Sequence, residues 1–407
     1  MERINEARQA LLEVSVNLKS EKIPVEKAYG RVLAERIMAE MAVPPFRRSA
    51  YDGYAIRSED IREASRKNPV TLKVTERIPA GSIGKHPVTK GTAARIMTGA
   101  KVPEGADTVV KHEDTCFTDT EVRFFMSAPG GNIAEPGEDV KQGICLMEPG
   151  KVIGAADAAV IAGQGMGQVR VFRKPVVGIV STGSELVRRG KHLPEGMVYD
   201  TNPMLLAGHM QSHGMIPREW EIVPDDMEML SDSILRALAA HDMVITTGGV
   251  SAGDFDYVPK TMERIGATVL FHGLPFKPGG AMLAAVKDGK VILGLSGNPG
   301  AAAVGMLYVG LPYMKKLCGR SSIHLTKAQA VLSEPFGKSS RGIRILRGSA
   351  RIQEGRLMFD QMENQRKRGS MVNDGMQPAG RSSCRKCRPF GRGNYKCIFY
   401  LKGGFWT

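Results

Sequence analysis

Apolar positions along the chain change their spacing near residue 174. Before it, residues 4–18 place apolar side chains on one helical face, Gly30 to Ala34 is typical of a short strand, and short β-branched runs between turn residues extend to about Gly143. After it, apolar runs such as Val176 to Val180 alternate with amphipathic helical segments. This alternation is typical of a doubly wound α/β domain with a largely parallel sheet. The pattern predicts a helical N-terminus, a β-rich module and an α/β domain.

Turn and cap residues set the expected limits of elements in the α/β domain. We expect Asn202-Pro203 to supply the cap and first turn of a helix that stops at Gly214. Pro224-Asp225-Asp226 is expected to cap the next helix, and Asp288-Gly289 to form the two-residue turn of a hairpin. Pro299 is expected to start the last helix of the domain.

The net charge of +14 is concentrated at the C-terminus. Residues 364–407 hold 10 Lys and Arg against 1 acid, or 10 − 1 = +9, which leaves 14 − 9 = +5 for the rest of the chain. A mildly basic body does not favour a nucleic-acid surface. The N-terminus lacks the apolar core of a signal peptide, and no apolar run reaches membrane-spanning length. We therefore expect a cytoplasmic protein that binds neither nucleic acid nor membrane.

The six cysteines follow the same division. Those in the body of the chain are Cys116, Cys145 and Cys318, and those in the tail are Cys384, Cys387 and Cys397. The first three are expected to be reduced structural thiols. The tail has no fourth cysteine, and the last histidine is His324, so a zinc site is not expected there.

The stretch from Met243 to Val258 carries the most specific chemistry. A β-branched run ends in paired glycines, followed by a hydroxyl, a third glycine and two acids. The positions concerned are Thr247, Gly248, Gly249, Ser251, Gly253, Asp254 and Asp256. Glycines let the backbone approach an anion, and a following helix N-terminus adds favourable partial charge, so phosphate suits such a loop. The acids favour a hard cation such as magnesium beside it. Taken alone, the same glycines also fit a tight turn with solvated carboxylates.

Further candidate ligand residues follow other strands of this domain. They are Glu185, Asp226, Lys277, Ser296, Gly297 and Asn298. Open α/β sheets bind ligands beyond the carboxyl ends of their strands, so we expect these residues to share one crevice. Loops of the β-rich module add Thr98 and Asp139, for which ordinary turn roles are the first interpretation.

Five motifs, in this order, resemble those of the molybdopterin molybdenumtransferases, the MoeA family related to the C-terminal E domain of gephyrin. They are Pro-Pro-Phe-x-Arg-Ser-Ala-x-Asp-Gly-Tyr-Ala at 44–55, Ser-Thr-Gly-Ser-Glu-Leu at 181–186, Thr-Gly-Gly-Val-Ser-x-Gly-Asp-x-Asp at 247–256, Lys-Pro-Gly at 277–279 and Gly-x-x-Gly-Asn-Pro at 294–299. The resemblance covers roughly residues 1–363.

The resemblance implies molybdenum cofactor synthesis: molybdate enters the dithiolene of adenylylated molybdopterin, with magnesium-dependent release of AMP. It implies that the pterin phosphate is held by the glycine-loop backbone, Lys277 and Gly279, with hydrogen bonds from Ser296 and Asn298. The implied catalytic residues are Asp52, Thr98, Glu185, Asp226 and Asp256, and the implied metal ligands are Asp139, Glu185, Asp226 and Asp256. In a homodimer, the partner chain's copies of residues 52, 98 and 139 would complete the site, although turn roles remain equally open for these three. Other cofactor-synthesis proteins and recipient molybdoenzymes are further implied partners.

The same resemblance implies a multidomain α/β and β architecture around a doubly wound MogA-like domain. The implied domains are an elongated N-terminal module at 1–44 plus 145–173, a β-rich insert at 45–144, the molybdopterin-binding α/β domain at 174–320, and a C-terminal β-barrel-like domain at 321–407 whose basic, Cys-containing tail begins near 364. Beyond about Asp374 the apolar alternation ends, which indicates either a frameshift or a disordered basic extension.

Some positions depart from the family pattern. Arg47 stands where the family usually has Asp, Tyr51 replaces a smaller apolar residue, Gly280 replaces a frequent second lysine, and Ser296 replaces proline. We expect weaker anion binding, or compensation by Arg47 or Arg48. Two other functions remain open: a molybdopterin-binding scaffold without catalysis, and an unrelated nucleotide hydrolase. The absence of a Walker-type phosphate loop counts against the usual form of the second.

Overall fold

A computed structural model describes residues 1–128, 130–251, 257–326, 328–334 and 343–362, and the backbone of 380–382 and 394–395. The chain divides into two compact units. The larger unit comprises Met1–Glu35, Pro149–Ala158 and Gly167–Thr407, and the smaller unit comprises Arg36–Glu148 and Ala159–Met166. The domain limits expected from the sequence stay a prediction.

A six-stranded mixed sheet forms the centre of the larger unit. Its strands are β1 (Val176–Thr182), β2 (Ile216–Val223), β3 (Met243–Thr247), β4 (Thr268–His272), β5 (Leu283–Lys287) and β6 (Lys290–Leu295). They lie in the order β2-β1-β3-β6-β5-β4, in which β2, β1, β3 and β6 are parallel and β5 and β4 are antiparallel additions. The carboxyl ends of β1, β3 and β6 therefore meet at one edge.

Helices cover both faces of this sheet. They are α1 (Asn202–Ser212), α2 (Met227–Ala240), α3 (Val258–Arg264) and α4 (Pro299–Gly305), the last continued by a π-helical turn at Met306–Gly310 and an α-helix at Leu311–Leu317. Successive strand residues enter opposite apolar clusters because side chains alternate across a strand. Ile179 and Ile245 belong to one cluster, and Val180 and Val244 belong to the other.

Most turn predictions in this domain are confirmed. Asp226 caps α2 by accepting a hydrogen bond from the Met229 N–H at 2.8 Å. Asp288 and Gly289 both have positive φ, as the predicted hairpin turn requires. The prediction that Asn202 caps α1 is wrong, since Thr201 occupies the cap position and Asn202 is already helical. Its side chain contacts another loop instead.

The N-terminal helix of the larger unit spans Glu2–Glu13 and buries Ile4, Ala7 and Leu11. It ends earlier than the predicted residue 18 because Val14 adopts extended backbone angles. A two-stranded antiparallel ladder follows, formed by Ser20–Pro24 and Gln168–Phe172, with a 3₁₀ turn at Val25–Lys27. The predicted strand at 30–34 is wrong: only the isolated bridges of Val32 with Val152 and Leu33 with Val171 occur there.

Short strands complete the larger unit. Leu186–Val187 pairs with Val198–Tyr199, and Phe276–Lys277 pairs with Ile343–Leu346. The remaining described strands are Ala330–Leu332, Gly348–Gln353, Arg356–Gln361, Gly380–Ser382 and Asn394–Tyr395. The β-rich character predicted for 326–363 is confirmed over its described residues.

The smaller unit is β-rich, as predicted. Its six-stranded sheet has the order Thr108–Lys111, Gly53–Ile56, Thr92–Ile96, Val70–Ile78, Glu121–Phe124 and Thr115–Phe117. Two small ladders pair Arg48–Ser49 with Ile133–Ala134 and Ile37–Met38 with Cys145–Met147. Single 3₁₀ turns lie at Ser58–Ile61 and His112–Asp114, and the helix Ala155–Gly163 crosses from one unit's sequence into the other's. Side chains from both faces of Gly53–Ile56 are fully buried.

Among the residues that the structure describes, no helix has the length and apolar character needed to cross a bilayer.

Candidate functional site

Three loops come together where β1, β3 and β6 end. A β-carbon on Gly248 would lie 2.3 Å from the Thr182 carbonyl oxygen, and one on Gly297 would lie 3.4 Å from the Gly248 α-carbon. The Gly248 N–H donates to the Leu295 carbonyl at 3.0 Å. Glycine is required at 248 for two reasons: the Thr182 carbonyl leaves no space for a β-carbon, and a φ of +98° disfavours any side chain. The loops after β1, β3 and β6 thus pack against one another, while the single crevice that the sequence predicts for all the candidate residues stays a prediction.

The loop after β3 is closed at its base. The Val258 N–H donates to the Gly249 carbonyl at 3.0 Å, which joins the loop's two described ends. The Val250 carbonyl is held by His272 Nε2 at 3.0 Å, and Ser251 is exposed. Gly253, Asp254 and Asp256 lie outside the described residues, so their predicted roles remain predictions.

The side chain of Thr247 is buried in the sheet, although its place in the motif suggests that it faces a ligand. Its hydroxyl donates to the Ser181 hydroxyl at 3.2 Å, and both residues are 1% exposed. The contact ties the end of β3 to the end of β1. The buried side chain of Thr247 therefore stabilises the ends of β1 and β3. The part of Thr247 nearest the loop is its backbone.

Carboxylates gather at the loop after β1. The Glu185 side chain folds over Gly183, since a β-carbon there would lie 2.6 Å from Glu185 Oε2. Asp225 accepts from the Ser184 N–H at 3.1 Å and from the Thr182 hydroxyl at 3.3 Å. The sequence interpretation chose Asp226 for the site and gave Asp225 only a capping role. Asp225 lies beside Asp226 after the same strand, β2, and this position could have identified it as a site candidate from the sequence.

The loop after β6 is built as a helix start. Asn298 caps α4 by accepting from the Ala301 N–H at 3.2 Å, and the Ser296 hydroxyl accepts from the Asn298 N–H at 3.3 Å. Both side chains thus order the first turn of α4. Within this turn Pro299 has no N–H, and the N–H groups of Asn298 and Ala301 are already bonded to the Ser296 and Asn298 side chains. Asn202 on α1 supports this loop by donating to the Gly297 carbonyl at 2.9 Å, a contact that the sequence interpretation missed.

Lys277 is exposed at the end of its short strand, and the glycines after it are fixed by packing. A β-carbon on Gly279 would lie 2.7 Å from the Ala301 carbonyl, and one on Gly280 would lie 2.2 Å from the Phe276 carbonyl. The backbone here has no room for a side chain at 280. Lys277 is therefore the cation that this Lys-Pro-Gly-Gly turn presents.

In the smaller unit, Asp52 and Thr98 form a close pair. Asp52 Oδ1 accepts from both the N–H and the hydroxyl of Thr98, each at 2.7 Å. These bonds, the backbone one first, lower the pKa of the Asp52 carboxyl below its usual range. The side chain is exposed, so a carboxylate of fixed orientation faces solvent. Asp139 is also exposed, and its N–H donates to the Val43 carbonyl at 3.0 Å.

Arg47 is already engaged within the smaller unit. Its Nε lies 3.2 Å from Glu135 Oε1, and its Nη1 donates to the Ala106 carbonyl at 3.0 Å. The hypothesis that Arg47 compensates for missing anion-binding groups gains no support from these contacts.

No three His, Cys, Asp or Glu side chains within the described ranges gather closely enough to hold a metal ion by themselves. Glu185, Asp225 and Asp226 nevertheless supply hard carboxylate oxygens at the strand ends. Magnesium commonly takes one or two carboxylates and completes its shell with water and substrate phosphate, so this donor chemistry fits that ion.

Comparison with known proteins agrees with this geometry. Residues 2–165 match the MoeA N-terminal region (domain I and II), and residues 178–316 match a probable molybdopterin binding domain. The chain is 36% identical over 350 residues to the molybdopterin molybdenumtransferase of Staphylococcus epidermidis, which covers 86% of this chain and 84% of that protein. It is 36% identical over 360 residues to the Bacillus subtilis protein of the same name, covering 87% and 84%.

A solved structure shows the same architecture. The MoeA molybdopterin biosynthesis protein from Pyrococcus horikoshii OT3 superposes with a TM-score of 0.79 at 28% identity, covering 98% of each chain. The fold class and the family expected from the five motifs are both confirmed. With glycine loops packed at the ends of three parallel strands and relatives that match over most of its length, the chain belongs to the molybdopterin molybdenumtransferase family and is a transferase.

Proposed function

We propose that this transferase acts in molybdenum cofactor synthesis by inserting molybdate into the dithiolene of adenylylated molybdopterin, with magnesium-dependent release of AMP. Two Mo–S bonds form in this step, and one oxo group leaves with the two thiol protons as water. Water cleaves the phosphoanhydride, which yields AMP and the phosphorylated pterin product. No electrons are transferred, so no external oxidant or reductant is needed.

The packing of the three glycine loops is the observation that carries this proposal. Gly248 and Gly297 are in contact, so the backbone around them can approach one ligand from two strands. A phosphate placed there would receive backbone N–H groups of the glycine loops and charge from Lys277. Ser296 and Asn298 would act by shaping this turn, because their side chains already bond within it.

Magnesium would be held by Glu185 with Asp225 or Asp226, together with substrate phosphate oxygens. When bound, the ion would neutralise phosphate charge during phosphoanhydride cleavage. The Asp225 carboxylate fixes the loop that carries Glu185 through the Ser184 N–H, and Asp226 fixes the first turn of α2. These bonds orient the donors before a ligand arrives. Asp256 is proposed as a further ligand on the motif alone.

A homodimer is part of the proposal, with the partner chain's copies of residues 52, 98 and 139 completing the site. The fixed orientation and exposure of Asp52 support a ligand contact for this carboxylate. Recipient molybdoenzymes would then take up the product.

The test supplies adenylylated molybdopterin and molybdate to the full chain, with magnesium or with a chelator. AMP release together with activation of an apo-molybdoenzyme, both lost in the chelator, is the expected result. AMP release without activation would indicate hydrolysis without insertion. Tight pterin binding with neither product would indicate a scaffold and would refute the proposal.

A further inference from the structure

Asn202 connects α1 with the loop after β6. Its side-chain amide donates to the Gly297 carbonyl at 2.9 Å, across 95 positions of sequence. Asn202 is only 6% exposed, whereas Gly297 is exposed, so this bond is partly buried and its donor end is shielded from water. Breaking the bond would leave the amide donor of Asn202 buried without a partner, which is costly.

The side-chain oxygen of the same amide does not stabilise the fold. Asn202 Oδ1 is buried and, among the described residues, has no hydrogen-bond partner. An unpaired buried acceptor lowers the stability of the folded state. Asparagine at this position therefore lowers folding stability. This is consistent with a side chain whose role is to donate to the Gly297 carbonyl.

The neighbouring residue Asp200 ties the same segment to β1. Burial raises the pKa of the Asp200 carboxyl above its usual range, while the Ser181 hydroxyl and the Asn202 N–H act to lower it. Arg188 also favours the charged form, and Glu219 on β2 opposes it. Since Ser181 accepts from the Thr247 hydroxyl, segment 200–202 contacts the ends of β1 and β6 directly and reaches β3 through Ser181.

We propose that Asn202 is a positioning residue, which fixes the Gly297 carbonyl and thereby the approach of the loop after β6 to Gly248. It acts through Gly297 and does not touch the substrate. The inference rests on the proposed function only in its kinetic consequence, since the ordering of the loops is a property of the free protein.

The first measurement is hydrogen–deuterium exchange on the ligand-free full chain. Asn202→Asp keeps the shape of the side chain but turns a carboxylate oxygen toward the Gly297 carbonyl, and Asn202→Ala removes the bond. Both are expected to speed exchange in peptides covering 243–251 and 296–302 while leaving α2 unchanged. Ile234→Val is the matched control, because Ile234 is fully buried in α2 and its truncation should speed exchange there only.

The second measurement is steady-state kinetics with adenylylated molybdopterin. A loop that holds phosphate equally in the ground and transition states contributes uniform binding. The Asn202 variants should therefore raise KM about tenfold and change kcat by less than about twofold, while Ile234→Val leaves both near the original values.

The outcomes separate the two proposals. Unchanged exchange in both loops, or a uniform rise throughout the α/β domain, would overturn the role of Asn202 whatever the activity. If the unaltered chain fails to process the pterin, the proposed function fails, and the exchange experiment still decides whether Asn202 positions the loops. Local loosening with a raised KM would support both.

Discussion

Gly297 lies against Gly248, with only 3.4 Å between the Gly248 α-carbon and the position a β-carbon on Gly297 would take. On its other side, Gly248 is closed in by the Thr182 carbonyl, 2.3 Å from where its own β-carbon would lie. Three loops can approach one another here because the middle one has no side chain. This contact brings the loops after β1, β3 and β6 together.

Gly248→Ala should therefore disrupt the site severely. The added methyl meets a backbone carbonyl that cannot rotate away, and φ at this position is +98°. We expect a loss of unfolding free energy of roughly 1–3 kcal/mol from backbone strain, with more from the clash, and loss of pterin binding. Chemical denaturation and binding titration measure the two effects.

Gly208→Ala is the matched control for that substitution. Gly208 lies inside α1 with open space around it, so alanine should raise stability by about 0.5–1 kcal/mol and leave binding unchanged. Equal behaviour of the two alanine variants would contradict the packing explanation.

Lys277→Gln should weaken binding of adenylylated molybdopterin about tenfold, because a charge-assisted hydrogen bond to phosphate is lost. Stability should hardly change, since Lys277 is exposed. Isothermal titration gives the affinity. Lys67→Gln removes the same charge from an exposed position of the smaller unit and should not alter it. A similar loss in both variants would show that overall charge, and not Lys277 itself, controls affinity.

Thr98→Ala should raise the pKa of the Asp52 carboxyl, because one of the two Thr98 donors disappears. A depressed folded pKa stabilises the smaller unit above the unfolded value of about 3.9 and loses that contribution as pH falls through the folded pKa. In Thr98→Ala this contribution should be smaller, and its loss should be complete at a higher pH. Carboxyl ¹³C NMR titration measures the midpoint. Thr118→Ala, an exposed threonine of the same unit, should leave it unchanged, and identical midpoints in all three proteins would refute the assignment.

Cys318 should resist alkylation in the folded protein. Burial raises the pKa of its thiol to about 11, and the side chain is 3% exposed. With iodoacetamide at about pH 8, Cys116 should react first, since it is exposed, and Cys318 only after denaturation. Peptide mass spectrometry follows each thiol separately. Modification of Cys318 at the rate of Cys116 would mean that the core around it opens readily.

Local signals predicted much of this fold because they act over a few residues. The Asp288-Gly289 hairpin and the Asp226 cap each depend on neighbours in sequence, and both occur as predicted. Asn202 was misassigned for the opposite reason. Its preference for cap positions is local, whereas the carbonyl that its side chain contacts is 95 residues away.

In the candidate site, too, local features could be predicted and contacts between distant residues could not. Spacing and residue type identified the glycine loops, yet they could not distinguish a ligand-facing hydroxyl from a buried one. Thr247 bonds Ser181 inside the sheet, and Asp225, which was not chosen for the site, contacts the loop that carries Glu185, while Asp226 caps α2. Such assignments depend on where adjacent strands place a side chain, which a single sequence does not reveal.

The most direct test of the central claim is the ratio of AMP released to molybdenum bound in a single turnover. The full chain is mixed with adenylylated molybdopterin, molybdate and magnesium, and the two products are quantified together. The proposed coupling predicts about one AMP for each molybdenum incorporated, with both lost in Gly248→Ala. AMP release that continues unchanged without molybdenum incorporation, or in Gly248→Ala, would contradict it.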